Sequence, residues 1–230
     1  MTLAALLQFC KETGLADAGF FTAEDAPMGL KTGISLVAKL SDAVVEEITD
    51  KPTHSYFHHY RTVNAYLDHC MLRVGFCLQN EGWKYLPVGA SQSIPTEEDP
   101  CGYHGRYSHK KGACLAGLGA MGKSGLFLHR NYGPRVRLGT IFTNMPMPIV
   151  EPKPLPVPCG SCTQCTDACP AHAIKGNTYG AGIPDFMLVD PCACSTYMKE
   201  HFKKIGRGAV CGVCMRVCPR GIPCIEKREI

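Results

Sequence analysis

No apolar run in this chain approaches the roughly 20 residues that a membrane-spanning helix needs. The opening stretch, MTLAALLQFCKETG, also lacks a small-residue cleavage site. With Lys11 and Glu12 soon after its apolar residues, it reads as a short amphipathic helix rather than a signal peptide. Charge of one sign is scarce as well. A formal net charge of +4 over 230 residues is too small to argue for nucleic acid by itself. Apart from two cysteine-rich runs there is no internal repeat. Hydrophobic residues make up 45% of the chain, enough to build a real core in one large domain or two small ones.

Cysteine is what the chain has in excess, with 15 residues. The odd count suits a secreted disulfide scaffold poorly. It implies a reducing cytoplasm in which thiols are kept for metal. The strongest pattern is Cys159 to Pro170, CGSCTQCTDACP, or Cys-x2-Cys-x2-Cys-x3-Cys-Pro. This is the bacterial-ferredoxin spacing for 4Fe–4S clusters, in which the last cysteine ligates a second cluster. The chain supplies the required second set in CGVCMRVCPRG, with Cys211, Cys214 and Cys218. One cube would then take Cys159, Cys162, Cys165 and Cys218. The other would take Cys211, Cys214 and Cys169, which leaves it one ligand short, with Cys192 and Cys194 both lying between the motifs. Structural zinc is the competing reading, but a third cysteine after two residues, followed by Cys-Pro, is not zinc spacing. Cys10, Cys70 and Cys77 fall in helical patterns and read as small core hydrophobes. Cys101, Cys114 and Cys224 have no assignment.

Hydrophobic periodicity predicts a helix over Thr2 to Glu12, capped by Thr2 and stopped at Gly14, and a long helix over Ser55 to Gln79. Strands are predicted at Ala18 to Thr22, Ile34 to Leu40, Lys84 to Val88, Leu126 to Leu128 and Val136 to Thr143. A helix is predicted over His109 to Leu118. Ser91 to Tyr107 is polar, rich in Pro and Gly, and reads as a long loop. Six prolines between Pro146 and Pro158 mark a linker and place a domain boundary near 150. The fold class is therefore α+β over residues 1–150, followed by a small two-cluster domain over residues 151–230.

Gly117 to Ser124, GLGAMGKS, satisfies both the P-loop and the dinucleotide patterns. Both patterns need a strand before the loop and a helix after it. Here the order is reversed, so a tight helix-to-strand turn competes with a nucleotide site. A third possibility is an anionic or planar cofactor met by backbone amides and Lys123. FMLVD at Phe186 to Asp190 mimics a metal-binding aspartate at a strand end. His104, Arg106, Tyr107, His109, Lys110 and Lys111 form a polar group running into the glycine loop, either a pocket rim or a solvated helix start.

Taken together, AGLGAMGKSGLFLH, VRLGTIFTN, CGSCTQCTDACPAHAI, a lone cysteine before STYMKE, and CGVCMRVCP resemble the epoxyqueuosine reductase family and, more distantly, corrinoid reductive dehalogenases. The resemblance covers Ser108 to Gly221 well and the first hundred residues loosely. It implies a nitroreductase-like first domain holding a base-off corrinoid (cobalamin) beside a ferredoxin-like domain with two 4Fe–4S clusters. It also implies Cys194 as the missing ligand. Electrons would come from a low-potential donor of ferredoxin or flavodoxin type and pass through both cubes to cobalt, on a bound corrinoid or a corrinoid protein. His109, Gly117, Leu118, Gly119, Met121, Gly122 and Lys123 would contribute to the corrinoid surface. Two features depart from the family. Ser91 and Gln92 stand where its catalytic aspartate is expected, so no catalytic residue is assigned. No helical-repeat module for tRNA follows Ile230, so tRNA is not the expected substrate. A ferredoxin-like module serving a partner enzyme without corrinoid is the alternative, and a flavin site is a third reading.

Overall fold

A computed structural model describes residues 1–97, 103–147, 155–180 and 188–221. The expected boundary near 150, and Cys101 and Cys224, lie outside these residues. The chain forms two compact units, and neither is continuous in sequence. One comprises Met1–Lys39, Tyr60–Ala120 and Val136–Pro156; the other comprises Leu40–His59, Met121–Arg135 and Val157–Ile230.

The first unit is built on a four-stranded antiparallel sheet. Strands β1 (Asp17–Thr22), β2 (Thr32–Lys39), β3 (Tyr85–Val88) and β6 (Val136–Thr143) lie in the order β1-β2-β6-β3. Both faces of β2 and β6 are covered, which explains why these strands read as continuous apolar runs instead of alternating ones. On one face Phe20, Ile34, Leu36 and Ile141 pack with Leu6 and Cys10 of helix α1 (Leu3–Thr13). They also meet Leu67, Cys70, Met71, Val74 and Leu78, the apolar stripe of helix α3 (His54–Asn80). On the other face Phe21, Val88, Tyr107 and Phe142 form a second cluster. Helix α1 starts as its sequence suggests, with the Thr2 hydroxyl accepting from the Ala5 amide at 3.1 Å. Cys10 and Cys70 are core residues, 3% and 0% exposed. Cys77 is not: it lies on the exposed side of α3. Its helical spacing from Cys70 is two full turns, but it falls just outside the apolar stripe.

Ser108 caps helix α4 (His109–Leu115), accepting from the Lys111 amide at 3.2 Å. The chain then turns at Gly117, whose φ is +69°, with its amide donating to the Cys114 carbonyl at 3.0 Å. Strand β4 (Gly119–Met121) follows, paired with β5 (Phe127–His129). A helix therefore precedes the glycine-rich loop and a strand follows it. This is the reverse of the order in which a helix N-terminus would face a phosphate.

The second unit carries both cysteine motifs, with Cys165 on helix α5 (Gln164–Asp167), Cys194 on α6 (Pro191–His201) and Cys214 on α7 (Val213–Arg216). It also includes α2 (Asp42–Glu46). Arg135, 1% exposed, ties two of its segments together by pairing with Asp42 at 2.9 Å and Glu46 at 3.1 Å. Among the described residues no helix is long and apolar enough to cross a membrane.

Candidate metal centre

The first cysteine motif folds as a loop entering a one-turn helix. Gly160 sits at φ +47°, and the Cys162 amide closes the turn onto the Cys159 carbonyl at 2.9 Å. The second motif repeats the plan. Gly212 sits at φ +85°, and the Met215 amide donates to its carbonyl at 3.0 Å. In each Cys-Gly-x-Cys the residue after the first cysteine is left-handed, a conformation glycine adopts without the Cβ clash. At Gly212 space is also limiting, because an added Cβ would lie 2.7 Å from Ile48 and 2.9 Å from Tyr56.

Cys159, Cys162, Cys165 and Cys218 line one cavity of about 260 Å³, together with Lys123, Ser124, Leu128, Pro158, Pro219 and Arg220. Burial pushes the Cys218 thiol up, and its neighbours Cys159, Cys165 and Cys162 push it further. Cys169, Cys194 and Cys214 pack in a second group with Ala173, Ile174 and Val189. The Cys214 thiol is raised chiefly by burial, then by Cys211, Cys194, Cys169 and Cys165. Cys194 is pushed up to about 11 by burial, with Cys211 and Cys169 adding to it. Cys218 of the second motif thus shares a cavity with the first motif's Cys159, Cys162 and Cys165, while Cys169 of the first motif packs with Cys194 and Cys214, and Cys165 lies against that group too.

The donor set fits a cluster better than a single ion. Zinc draws four sulfurs to about 2.3 Å from one point. Here, four cysteines surround a cavity.

How Cys194 reaches this group is legible in the backbone. The segment after the first motif leaves and returns through a bridge between Ile174 and Val189. The Lys175 amide donates to the Leu188 carbonyl at 2.9 Å and the Asp190 amide to the Ala173 carbonyl at 2.8 Å. Asp190 then caps α6, accepting from the Ala193 amide at 2.9 Å, and Pro191 opens the helix. Four residues after Pro170, the chain is thus pinned where α6 begins. Cys194 faces the second group, whereas Cys192 on the same helix is exposed. The aspartate of FMLVD is a helix cap, not a metal ligand. Arg220 adds a contact the sequence does not announce: its guanidinium donates to the Pro158 carbonyl at 3.1 and 2.9 Å.

The residues of the glycine loop are largely engaged within the fold. Leu118 and Met121 are 2% and 1% exposed, and Gly119 and Gly122 are buried. Lys123 is 8% exposed and donates to the Gly160 carbonyl at 2.7 Å and the Cys162 carbonyl at 3.2 Å. In the first unit, His109 Nε2 lies 3.0 Å from the Gly89 carbonyl and Nδ1 lies 2.8 Å from the Thr140 hydroxyl. A carbonyl only accepts, so the proton is on Nε2 and Thr140 donates to Nδ1. Burial holds the His109 pKa below the usual histidine range; the Arg137 cation works in the same direction, against the Gly89 bond and Asp68. Tyr107 belongs to the core, and Lys111 pairs with Asp25.

Residues 158–221 match the family "4Fe-4S double cluster binding domain". The chain is 35% identical over 109 residues to the epoxyqueuosine reductase of Lactococcus garvieae, covering 46% of this chain and 30% of that protein. Its fold is similar to that of a reductive dehalogenase described as performing B12-dependent dehalogenation, with TM-score 0.72, 17% identity, and 95% and 32% of the two chains covered. It is also similar to epoxyqueuosine reductase from Streptococcus thermophilus, with TM-score 0.56, 19% identity, and 95% and 65% covered. This is a mixed α/β protein with a double-cluster iron–sulfur domain, related to epoxyqueuosine reductases and reductive dehalogenases. The match spans less than a third of the Lactococcus protein's length.

Proposed function

We propose that the chain is an electron-transferring oxidoreductase that holds two 4Fe–4S clusters and passes electrons to a corrinoid. One cluster is held by Cys159, Cys162, Cys165 and Cys218, and the other by Cys169, Cys194, Cys211 and Cys214. The observation that carries this reading is that Cys218 of the second motif lines a cavity with Cys159, Cys162 and Cys165, while Cys169 of the first motif packs with Cys194 and Cys214. A low-potential donor of ferredoxin or flavodoxin type would load the clusters. The corrinoid, bound or as substrate, is supported by likeness to the B12-dependent dehalogenase, and the first 150 residues would be a nitroreductase-like domain receiving it.

A specific observation favours a second reading, in which the chain is an electron-transfer module for a partner enzyme. His109 has both ring nitrogens engaged, and Leu118, Gly119, Met121, Gly122 and Lys123 are buried. These groups would need to rearrange to meet a corrinoid. Anaerobic isolation tests both readings. About eight iron and eight sulfide per chain are expected from two cubes. Cobalt in the isolated protein, or reduction of added cob(II)alamin by the reduced protein, supports the corrinoid. Iron and sulfide without either response leaves the transfer module standing. Zinc in place of iron sinks both.

A further inference from the structure

Lys123 carries a buried charge with no counter-charge among the described residues. It lines the cavity of Cys159, Cys162, Cys165 and Cys218, is 8% exposed, and forms no ion pair with a described carboxylate. Its ammonium has three donors, and two go to the Gly160 and Cys162 carbonyls. Carbonyls satisfy donors but cannot neutralise a cation, and a buried uncompensated cation is costly. An anionic unit in this cavity would supply the missing charge, and four thiolates around an iron–sulfur core are such a unit. The same two bonds fix peptide planes. With the Gly160 and Cys162 carbonyls turned to Lys123, the planar trans peptide sets the opposite direction for the Ser161 and Thr163 amides.

We infer that Lys123 is a positioning and charge-compensating residue of the cluster held by Cys159, Cys162, Cys165 and Cys218. The inference rests on the two-cluster reading above. Reduction adds an electron to an already anionic unit. A fixed cation beside it favours the reduced form and raises that cluster's potential relative to a neutral neighbour. The second cluster, whose thiols lie with Ala173, Ile174 and Val189, has no such contact from Lys123.

The test is a redox titration followed by electron paramagnetic resonance on the anaerobically prepared full chain, with iron counted beforehand. Lys123→Gln keeps a hydrogen-bond donor and removes the charge; Lys123→Arg keeps both. A Cys165→Ser chain marks which reduction wave belongs to this cluster. In Lys123→Gln that wave is expected to move to lower potential by about tenfold in the reduction equilibrium, or about 59 mV for one electron. The other wave should stay in place, and Lys123→Arg should behave as the parent. Loss of one cluster from the Gln chain but not from the Arg chain carries the same conclusion at the level of assembly. Unmoved waves at full iron content, movement of the wrong wave, or equal loss from both variants overturns it. A parent chain without iron and sulfide instead fails the two-cluster reading, which keeps the two failures apart.

Discussion

Two cysteines on one helix, Cys192 and Cys194, have the same chemistry and differ in where the helix points them. Cys194 lies with Cys169 and Cys214, while Cys192 is exposed. Cys194→Ser is therefore expected to leave one intact cluster and lower iron from about eight toward about four per chain. Cys192→Ser should keep the full content; the reverse result would move the ligand assignment to Cys192. His109 is a different kind of single-residue constraint. Its neutral form suits a site where Nε2 donates to Gly89 and Nδ1 accepts from Thr140, and burial depresses its pKa below 6.5. A depressed folded-state pKa means that the unfolded chain binds the proton first as pH falls. The stability this contributes is complete above about pH 6.5 and is lost as pH drops toward the folded pKa. Urea midpoints measured from pH 7.5 to pH 5 should fall in the parent and fall less in His109→Gln.

The elements of the first unit were largely legible, because periodicity reports burial and these elements are buried. Strand β6 lies at Val136–Thr143 as read, and the long helix extends one residue beyond its expected span at each end, to His54–Asn80. The short elements were not legible. Helices α5 and α7 are four residues each, set by cysteine loops and not by an apolar stripe. Helix α6 has no buried residue to give it a period, yet it delivers Cys194. Its start was visible in hindsight as Asp-Pro, cap and first helical residue, but the strand-like FMLV before it masked the signal. Asp190→Ala should cost α6 about 1 kcal/mol. Because the helix presents a ligand, the measurable consequence is faster loss of iron to a chelator, with β2 and β6 unaffected by amide exchange. The contacts of Lys123 were not legible for a related reason. A regular expression over Gly117 to Ser124 records neither the helix before the loop nor the carbonyls that the side chain meets.

At the scale of the molecule, the first unit buries a cluster of 16 residues against its sheet, and the second unit buries residues of its own, among them Ile48, Tyr56, Leu188, Val213 and Met215. Both cysteine motifs belong to the second unit, so removing iron anaerobically should lower amide protection over residues 157–180 and 188–221 while β2 and β6 stay protected. Equal loss in both regions would mean that the sheet also depends on the metal. Composition could not show that Leu40–His59 and Met121–Arg135 belong with the cysteines. That membership depends on contacts distant in sequence, such as Arg135 with Asp42 and Lys123 with Gly160. The bond from Arg220 to the Pro158 carbonyl has a consequence of an evolutionary kind. It brings the entrance and exit of the cysteine-rich stretch side by side, the geometry that lets a segment be spliced into a host or permuted with little disturbance. Yet Gly133 lies so close to Arg220 that an added Cβ would sit 2.2 Å from its carbonyl oxygen. A transplanted cassette would lose that wall, so the host sequence around 121–135 has to travel with its guest.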